Sequence, residues 1–515
     1  MVSIYKIKKY YLKILLNLFL IILIFYKNDY NNNIFKNKLD NFQVQILNII
    51  LPSKKLIKCP TTLYFKSQFG NLRIEKNISK KLLIKSINFT KNQKKYFVVF
   101  HAHFVSYKEK LLKNDYHIII YNNSINNINT TLNLIWFAYF PSKRLKNIYN
   151  FAVNKFTKLM FFRELKTLFN KDITYKNYDL MRRKFKDDYS YMSETFNYPK
   201  DKKIIENKFK NYKFNPKNMW MIKPKNKNSG EGIKIFTSLK EIILDNYLIT
   251  KYITNIDLID KKKYDLRIYV LILGINPLRI YLYKNGFVRR CVKNYSLDIN
   301  LLNDKNIHLT NTHVNVEKKE YIHPKNFDDE NAHIWSLKTY KNFLEKKKVN
   351  YDLINEKIKD IIIKTIISFY SNFNEQIKKK NFQNLNFFDL LGFDILMTDD
   401  YNPKLLEVNT NPSPYVFNYL MRVIKTNLFL DTLNLIGIIP FSHEDKNKIF
   451  SQEYNFKNNE DFIYNEALCE MTRPKGDYEL IFPLKNNIKK YKKYFFNLDV
   501  KNINFWEKIL KGINK

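Results

Sequence analysis

The chain has few cysteines, few glycines and few acidic residues for its 515 positions. Its three cysteines, Cys59, Cys291 and Cys469, form no CxxC pair. The sequence therefore predicts neither a disulfide framework nor a zinc site, and ordinary buried thiols in a reducing compartment are expected. Among its nine glycines, neither the GxxxxGK[ST] loop nor the GxGxxG turn occurs. These absences exclude P-loop and dinucleotide-binding folds.

Because acidic residues are few, the chain has 48 Asp+Glu against 89 Lys+Arg and a formal net charge of +41. Such a charge favours an acidic partner: nucleic acid, anionic membrane or an acidic polypeptide. The excess is mostly lysine, in a chain crowded with other residues that have A/T-rich codons, so codon bias explains much of it. Hydrophobic residues make up 45% and aromatics 16%, which supplies a core and excludes global disorder.

An apolar run from Ile14 to Tyr26 follows a lysine-rich start. The pattern resembles a signal peptide or a short anchor. The run is shorter than the roughly 20 residues that span a bilayer, and no small-residue cleavage site follows it. A buried helix, a peripheral anchor and a true membrane span all remain open.

Short apolar runs predict strands at 96–101, 117–121, 270–273 and 278–283. Apolar residues at helical spacing predict an amphipathic helix over 351–369, which Asn350 or Asp352 would cap. A basic, aromatic segment from Lys485 could form a further helix. Together these elements indicate a mixed α/β fold.

A strand, a polar glycine loop and a second strand are predicted over Met219–Phe236. Gly230 and Gly232 would let the backbone approach phosphate closely, and Lys223 could place a point charge there. A glycine turn in an ordinary hairpin is the commoner meaning of this pattern.

Three charged residues, Lys263, Asp265 and Arg267, alternate before a strongly apolar strand, which puts them on one strand face. A solvated edge face with an internal salt bridge is one interpretation. A surface that binds an amino acid and ATP phosphate is the other. Arg289, expected after the next strand and Gly286, could add a bidentate anion contact.

The segment Phe388–Pro412 predicts a hairpin in which apolar strands carry Asp394 and Glu407. Two carboxylates in apolar strands are costly to bury unpaired, so they need a cation. Oxygen ligands suit Mg²⁺, and Asn409 adds a neutral one. The alternative is a carboxylate pair that nearby Lys or Arg side chains neutralise.

These segments, in this order, resemble the tubulin-tyrosine-ligase-like enzymes, whose catalytic core is an ATP-grasp fold. The resemblance covers about 132–483. The motifs that carry it are VNKF (153–156), WMIKP (220–224), GEGI (230–233), KYI (251–253), KYDLR (263–267), HLTN (308–311), WSL (335–337), GFD (392–394), LLEVN (405–409) and YELIFP (478–483). Thr250 stands where the family usually has Gln, and Thr312 and His313 replace a common Tyr-Ser.

The resemblance implies a role for each matching residue. Nucleotide contacts are expected from Lys223, Gly230, Gly232, Lys251, Tyr252, Ile253, Lys263, Asp265, Thr310 and Asn311. Catalytic contacts to phosphate or substrate are expected from Lys263, Arg267 and Arg289. Mg²⁺ would be held by Asp394, Glu407 and Asn409. ATP and Mg²⁺ are the implied cofactors.

The implied organisation is a hydrophobic segment (1–30), a linker (31–60), an N-terminal domain (61–200), an ATP-grasp core (201–440) and a basic C-terminal extension (441–515). The implied activity joins an amino acid, glutamate first, to a glutamate side chain on the tubulin tail. The expected location is the microtubule cytoskeleton in the cytoplasm, including a cilium or flagellum, or tethered to a membrane.

Three alternatives compete with this interpretation. A tubulin glycine or tyrosine ligase would share the motifs. A non-catalytic microtubule-binding member would lose the metal ligands, which are all present. A nucleic-acid-binding protein would show a basic stripe without converging carboxylates, so no nucleic-acid partner is expected.

Overall fold

The computed structural model describes 96–101, 116–121, 134–136, 157–160, 170–439, 466–495, 506, 507 and 510. Short gaps inside these ranges fall at 211, 213–217, 226, 228–229, 238–245, 276, 381–386, 411, 414, 468 and 472. The described residues all belong to one compact unit. The predicted N-terminal segment, the linker and the VNKF motif lie outside them.

The described strands are β1 (Tyr96–His101), β2 (Tyr116–Tyr121), β3 (Leu134–Trp136), β4 (Lys158–Met160), β5 (Thr195–Asn197), β6 (Trp220–Pro224), β7 (Lys234–Phe236), β8 (Tyr247–Lys251), β9 (Leu258–Ile259), β10 (Lys262–Ile275), β11 (Leu278–Arg290), β12 (Ile334–Ser336), β13 (Phe387–Met397), β14 (Pro403–Thr410) and β15 (Tyr478–Phe482). The described α-helices are α1 (Lys171–Phe185), α2 (Lys202–Phe209), α3 (Lys305–His308), α4 (Thr312–Asn315), α5 (Leu337–Lys346), α6 (Tyr351–Lys380), α7 (Tyr419–Ile436) and α8 (Ile488–Lys492).

A large mixed sheet runs in the order β12-β11-β10-β13-β4-β3-β1-β2, with β14, β15 and β9 paired to β13, β11 and β10. The pairs from β13 through β4, β3 and β1 to β2 are parallel. The pairs around β10, β11, β13 and β14 are antiparallel. This arrangement confirms the predicted mixed α/β fold.

Helices cover both faces of the large sheet. On one face α6 contributes Ile358, Ile362 and Ile366 to the core, and on the other α7 contributes Leu420 and Ile424. Burying such side chains stabilises the fold by about 1.5–3 kcal/mol each. The sheet is therefore a rigid support, buried on both faces, for the charged side chains that its central strands carry.

The predicted helix at 351 begins where expected but extends to Lys380. Asn350 is its cap, because the Asn350 side chain accepts from the backbone N–H groups of Asp352 (2.9 Å) and Leu353 (3.2 Å). Asp352 lies in the first turn, where an acidic side chain suits the helix dipole. Of the two predicted caps, the structure selects Asn350.

A smaller sheet, β5-β8-β6-β7, is antiparallel throughout. Its own core joins Trp220, Ile222, Phe236 and Ile249 to α2. The predicted strand, glycine loop and strand over Met219–Phe236 are β6, the loop and β7, as expected.

Cys291 is a free buried thiol, as predicted, but Cys469 is disulfide-bonded, so the expectation of three ordinary thiols is wrong for Cys469. The basic C-terminal segment forms the short helix α8, and its described residues 506, 507 and 510 are also helical. Within the described ranges, no helix combines the length and apolar character that crossing a membrane requires.

Candidate active site

A cavity lies between the smaller sheet and the antiparallel part of the large sheet. Every predicted site residue except Arg267 and Gly232 lines it: Lys223, Gly230, Lys251, Tyr252, Ile253, Lys263, Asp265, Arg289, Thr310, Asn311, Asp394, Glu407 and Asn409. Residues that are distant in sequence thus converge on one site.

The glycine loop closes one side of the cavity. Gly230 has φ +79°, and a β-carbon there would lie 3.0 Å from Leu309 Cδ1 and 3.3 Å from Asn311 Oδ1. Because only glycine fits this conformation and this contact, the loop packs directly on the HLTN segment. Gly232 instead lies against Pro224 and does not line the cavity.

Two lysines face the carboxylate end from this side. Lys223, on β6, lines the cavity, and burial lowers its pKa while Glu407 opposes that shift. Lys171, in the first turn of α1, also lines the cavity and donates to the carbonyl of Lys227 in the glycine loop (2.8 Å). The N-terminal end of a helix carries a partial positive charge, so the Lys171 ammonium and the end of α1 together favour a bound anion there. Lys171 could not be predicted from the sequence, because a lysine at a helix start is common.

A buried chain of hydrogen bonds holds Lys263. Its ammonium donates to the Tyr252 hydroxyl (3.0 Å), and that hydroxyl lies 3.0 Å from His308 Nδ1. Burial lowers the pKa of Lys263 to about 8 and that of His308 to about 4. His308 is therefore neutral at physiological pH and suited to accept from Tyr252. In the sequence, His308 stands out only as the first residue of HLTN, and no role was predicted for it.

Two buried threonines lie beside the KYI segment. Lys251 is exposed, and its backbone N–H donates to the carbonyl of Glu194 (2.8 Å). Thr250, which stands where the family usually has Gln, pairs with Thr195 through their hydroxyls (3.1 Å). Both threonines are buried and line the cavity.

The charged strand is central in the sheet, because β10 lies between β11 and β13. The edge-face interpretation is therefore wrong. Asp265 lies opposite Arg289 in the register and accepts two hydrogen bonds from its guanidinium, one of 2.8 Å. Arg289 was expected to follow the strand. It lies on the strand instead, because β11 continues through Gly286 to Arg290.

Arg267 turns to Asp394, which lies opposite it on β13. Its Nε and a terminal nitrogen donate to the Asp394 carboxylate at 2.5 and 3.0 Å, and Arg289 lies 3.1 Å from the same group. Burial alone would raise the pKa of Asp394, but the two arginines outweigh it and hold that pKa well below its ordinary value. The predicted neutralisation by arginine is thus realised for Asp394.

Glu407 behaves differently from Asp394. The two residues lie on paired strands of one hairpin, as predicted, and they are direct register partners on β14 and β13. Burial, reinforced by the charge of Asp394, raises the pKa of Glu407, and no ion pair to Glu407 occurs among the described residues. The Asn409 amide donates to both carboxylates, at 3.2 and 3.3 Å.

These donors fit a magnesium ion better than another metal. Two carboxylates and a carboxamide are hard oxygen ligands, and Mg²⁺ usually completes its shell with water and substrate phosphates. The described residues contain no cluster of three or more His, Cys, Asp or Glu side chains that could hold a metal alone. Glu407 forms no direct ion pair among the described residues, although the charges of Lys171 and Lys223 act on it, so it is the carboxylate with most to gain from a bound cation.

The profile of the tubulin-tyrosine ligase family matches residues 151–446 of this chain, which is more than half of it. Among curated proteins, the tubulin monoglutamylase TTLL4 of Mus musculus is 34% identical over 279 residues, which cover 53% of this chain and 23% of the relative. The probable beta-tubulin polyglutamylase of Tetrahymena thermophila is 31% identical over 303 residues, 58% of this chain and 25% of the relative.

The tubulin polyglutamylase TTLL6 of Homo sapiens is 32% identical over 311 residues, which cover 58% of this chain and 33% of the relative. The chain therefore spans between about a quarter and a third of the length of these relatives. The matched region contains the cavity and both ends of the site, and the family has an ATP-grasp-like fold. This chain belongs to the tubulin-tyrosine ligase family.

Proposed function

We propose that this chain is an ATP-dependent carboxylate–amine ligase that joins glutamate to a glutamate side chain on the tubulin tail. One observation carries the proposal: a single cavity brings cationic side chains and the glycine loop together with the Asp394–Glu407 carboxylates. Cations that bind phosphates, placed beside oxygen ligands for a metal, are what phosphoryl transfer requires.

The proposed reaction has two steps. The acceptor carboxylate attacks the γ-phosphorus of ATP, which forms an acylphosphate and releases ADP. The amine of the free amino acid then attacks the acyl carbon, forms the amide bond, and expels inorganic phosphate as its proton is lost.

The residues of the chain take distinct parts in this scheme. Lys223, Lys171 and Lys263 offset phosphate charge, and the amides of the glycine loop approach the same oxygens. Asp394, Glu407 and Asn409 would hold Mg²⁺, which supplies further charge stabilisation when bound. Arg289, fixed by Asp265 and Asp394, orients an anionic group at the reacting centre.

The proposed partners follow from charge and from the relatives. A net charge of +41 suits the acidic tails of tubulin, and three relatives carry tubulin-glutamylating names. The proposed setting is the cytoplasmic microtubule cytoskeleton. If the apolar residues 14–26 act as an anchor, they would attach the enzyme to a membrane. The proposed reaction requires no nucleic acid.

Mass spectrometry of an acidic tail peptide tests the proposal. The peptide would be incubated with the full chain, Mg²⁺-ATP and each amino acid in turn. Glutamate should add to the peptide with wild type and not with Glu407→Gln, while Glu206→Gln, a change on the outer face of α2, should leave addition intact. Addition of glycine or tyrosine instead would replace the amino acid in the proposal. No addition at all would overturn it.

A further inference from the structure

Three aromatic side chains near the start of α7 face solvent. Tyr415 is 51% exposed, and Phe417 and Tyr419 are each 39% exposed. Every other large hydrophobic side chain that is exposed in the described part of the chain is aliphatic, so the exposed tyrosines and phenylalanines there all lie in this aromatic segment, 415–419. Exposed aromatic rings gathered on one short segment are typical of a surface that binds a partner.

Polar contacts hold the backbone of the aromatic segment in place. The Lys425 side chain on α7 donates to the backbone carbonyls of Ser413 (2.9 Å) and Tyr415. The Asn418 side chain caps α7, because it accepts from the backbone N–H of Met421 (2.9 Å). The exposed rings are therefore carried by an ordered backbone, which lowers the conformational entropy that a partner must remove on binding.

Two chain connections place the aromatic segment beside the cavity. The Phe417 ring packs edge-on against His313, with ring centroids 5.4 Å apart. His313 is two residues after Asn311, which lines the cavity, so the Cα atoms of His313 and Asn311 are at most about 8 Å apart. On the other side, the segment begins six residues after Asn409, which also lines the cavity. The three exposed aromatic residues do not line the cavity themselves, so they lie next to the site and outside it.

The charge of this stretch of chain favours an acidic partner. The sequence contains no Asp or Glu between Glu407 and Asp431. Arg422 is exposed and follows Tyr419 by three residues, so the two side chains lie on the same face of α7. An acidic polypeptide on this surface would meet aromatic rings and a guanidinium, and no carboxylate from the stretch itself would repel it.

We propose that Tyr415, Phe417 and Tyr419 form a docking surface for the acidic polypeptide that carries the acceptor glutamate. The inference rests on the proposed ligase activity, because that reaction needs a polypeptide whose main chain stays outside the cavity while one side chain enters it. The rings pack against the backbone and methylene groups of the polypeptide, and Arg422 attracts its carboxylates. The docking surface therefore contributes to the affinity for the acceptor and not to the affinity for ATP.

Fluorescence anisotropy of a labelled glutamate-rich peptide, titrated with the full chain in the absence of ATP, tests the docking surface directly. Replacing both Tyr415→Ser and Phe417→Ser should raise Kd about tenfold to a hundredfold, as expected for two aromatic anchors. The double variant Tyr415→Phe with Phe417→Tyr keeps both rings and should bind within about threefold of wild type. Leu353→Ser is the matched control, because Leu353 is a large apolar side chain on α6 that is 63% exposed, and it should leave Kd unchanged.

Equal Kd values for wild type and the double serine variant would overturn the docking surface, and so would a neutral peptide of the same length that binds as tightly as the acidic one. Sedimentation equilibrium covers the other occupant: a wild-type dimer that the double serine variant dissociates would assign the surface to a second copy of this chain and overturn the proposal. With Mg²⁺-ATP and L-glutamate, the double serine variant should raise KM for the peptide and leave KM for ATP within about twofold. A wild type that binds the peptide through these rings but forms no amide bond would refute the ligase and not the docking surface.

Discussion

Arg267 and Asp394 are register partners on β10 and β13, and their side chains form a bidentate ion pair between those neighbouring strands. The pair connects the charged strand to the metal end of the site. Asp394 also contacts Arg289 and Asn409, so its position is fixed before any substrate binds. Its carboxylate is thus preorganised, while its register partner Glu407 forms no direct ion pair among the described residues.

Arg267→Met should destabilise the fold, because it removes one partner of a buried pair. The expected cost is about 3 kcal/mol, measured as the change in free energy of urea unfolding. Arg183→Ala, which breaks an exposed pair with Asp179, should cost less than about 1 kcal/mol. Equal effects of the two changes would contradict the account of the Arg267–Asp394 pair.

The affinity for ATP should fall at alkaline pH. Burial lowers the pKa of Lys263 to about 8, so the ammonium is charged below that pH and becomes neutral above it. We expect kcat/KM for ATP to decrease about tenfold per pH unit above pH 8. Lys263→Arg, which stays charged, should remove this decrease. The account of Lys263 fails if the variant keeps the wild-type profile.

His308→Leu should weaken ATP binding without unfolding the protein, since it removes the acceptor of the Tyr252 hydroxyl that orients Lys263. The expected rise in KM for ATP is about tenfold, with kcat less affected. His308→Gln retains an acceptor and should restore much of the affinity. A purely structural role would instead lower Tm while leaving KM for ATP and its pH profile unchanged.

Asp389→Asn should stabilise the protein. Asp389 is buried on β13, neither carboxyl oxygen has a hydrogen-bond partner, and burial raises its pKa to about 8. The folded state therefore holds a proton that the unfolded state releases above about pH 4, and wild-type stability falls as pH rises towards 8. The gain should reach at most about 4 kcal/mol at pH 7.

Urea unfolding of wild type and Asp389→Asn at pH 5 and pH 8 measures this gain. The difference in free energy of unfolding between the two proteins should be larger at pH 8. A difference that does not depend on pH would show that Asp389 does not bind a proton on folding.

The sequence predicted those parts of the site that depend on local pattern. Alternation on one strand face identified Lys263 and Asp265, and a hairpin with interrupted apolar strands identified Asp394 and Glu407. The pairings between strands could not be predicted, because Asp265–Arg289 and Arg267–Asp394 depend on the register of three strands. Lys171 was missed for a related reason: it lies on a helix that only the tertiary fold brings to the cavity.

The central claim is that an acceptor carboxylate is activated by ATP in the cavity that Lys223, Asp394 and Glu407 line. The most direct measurement uses an acidic peptide whose side-chain carboxylates carry ¹⁸O, with L-glutamate and Mg²⁺-ATP. Attack through an acylphosphate predicts that one ¹⁸O passes into inorganic phosphate for each amide bond formed. Amide formation with unlabelled phosphate would contradict the account.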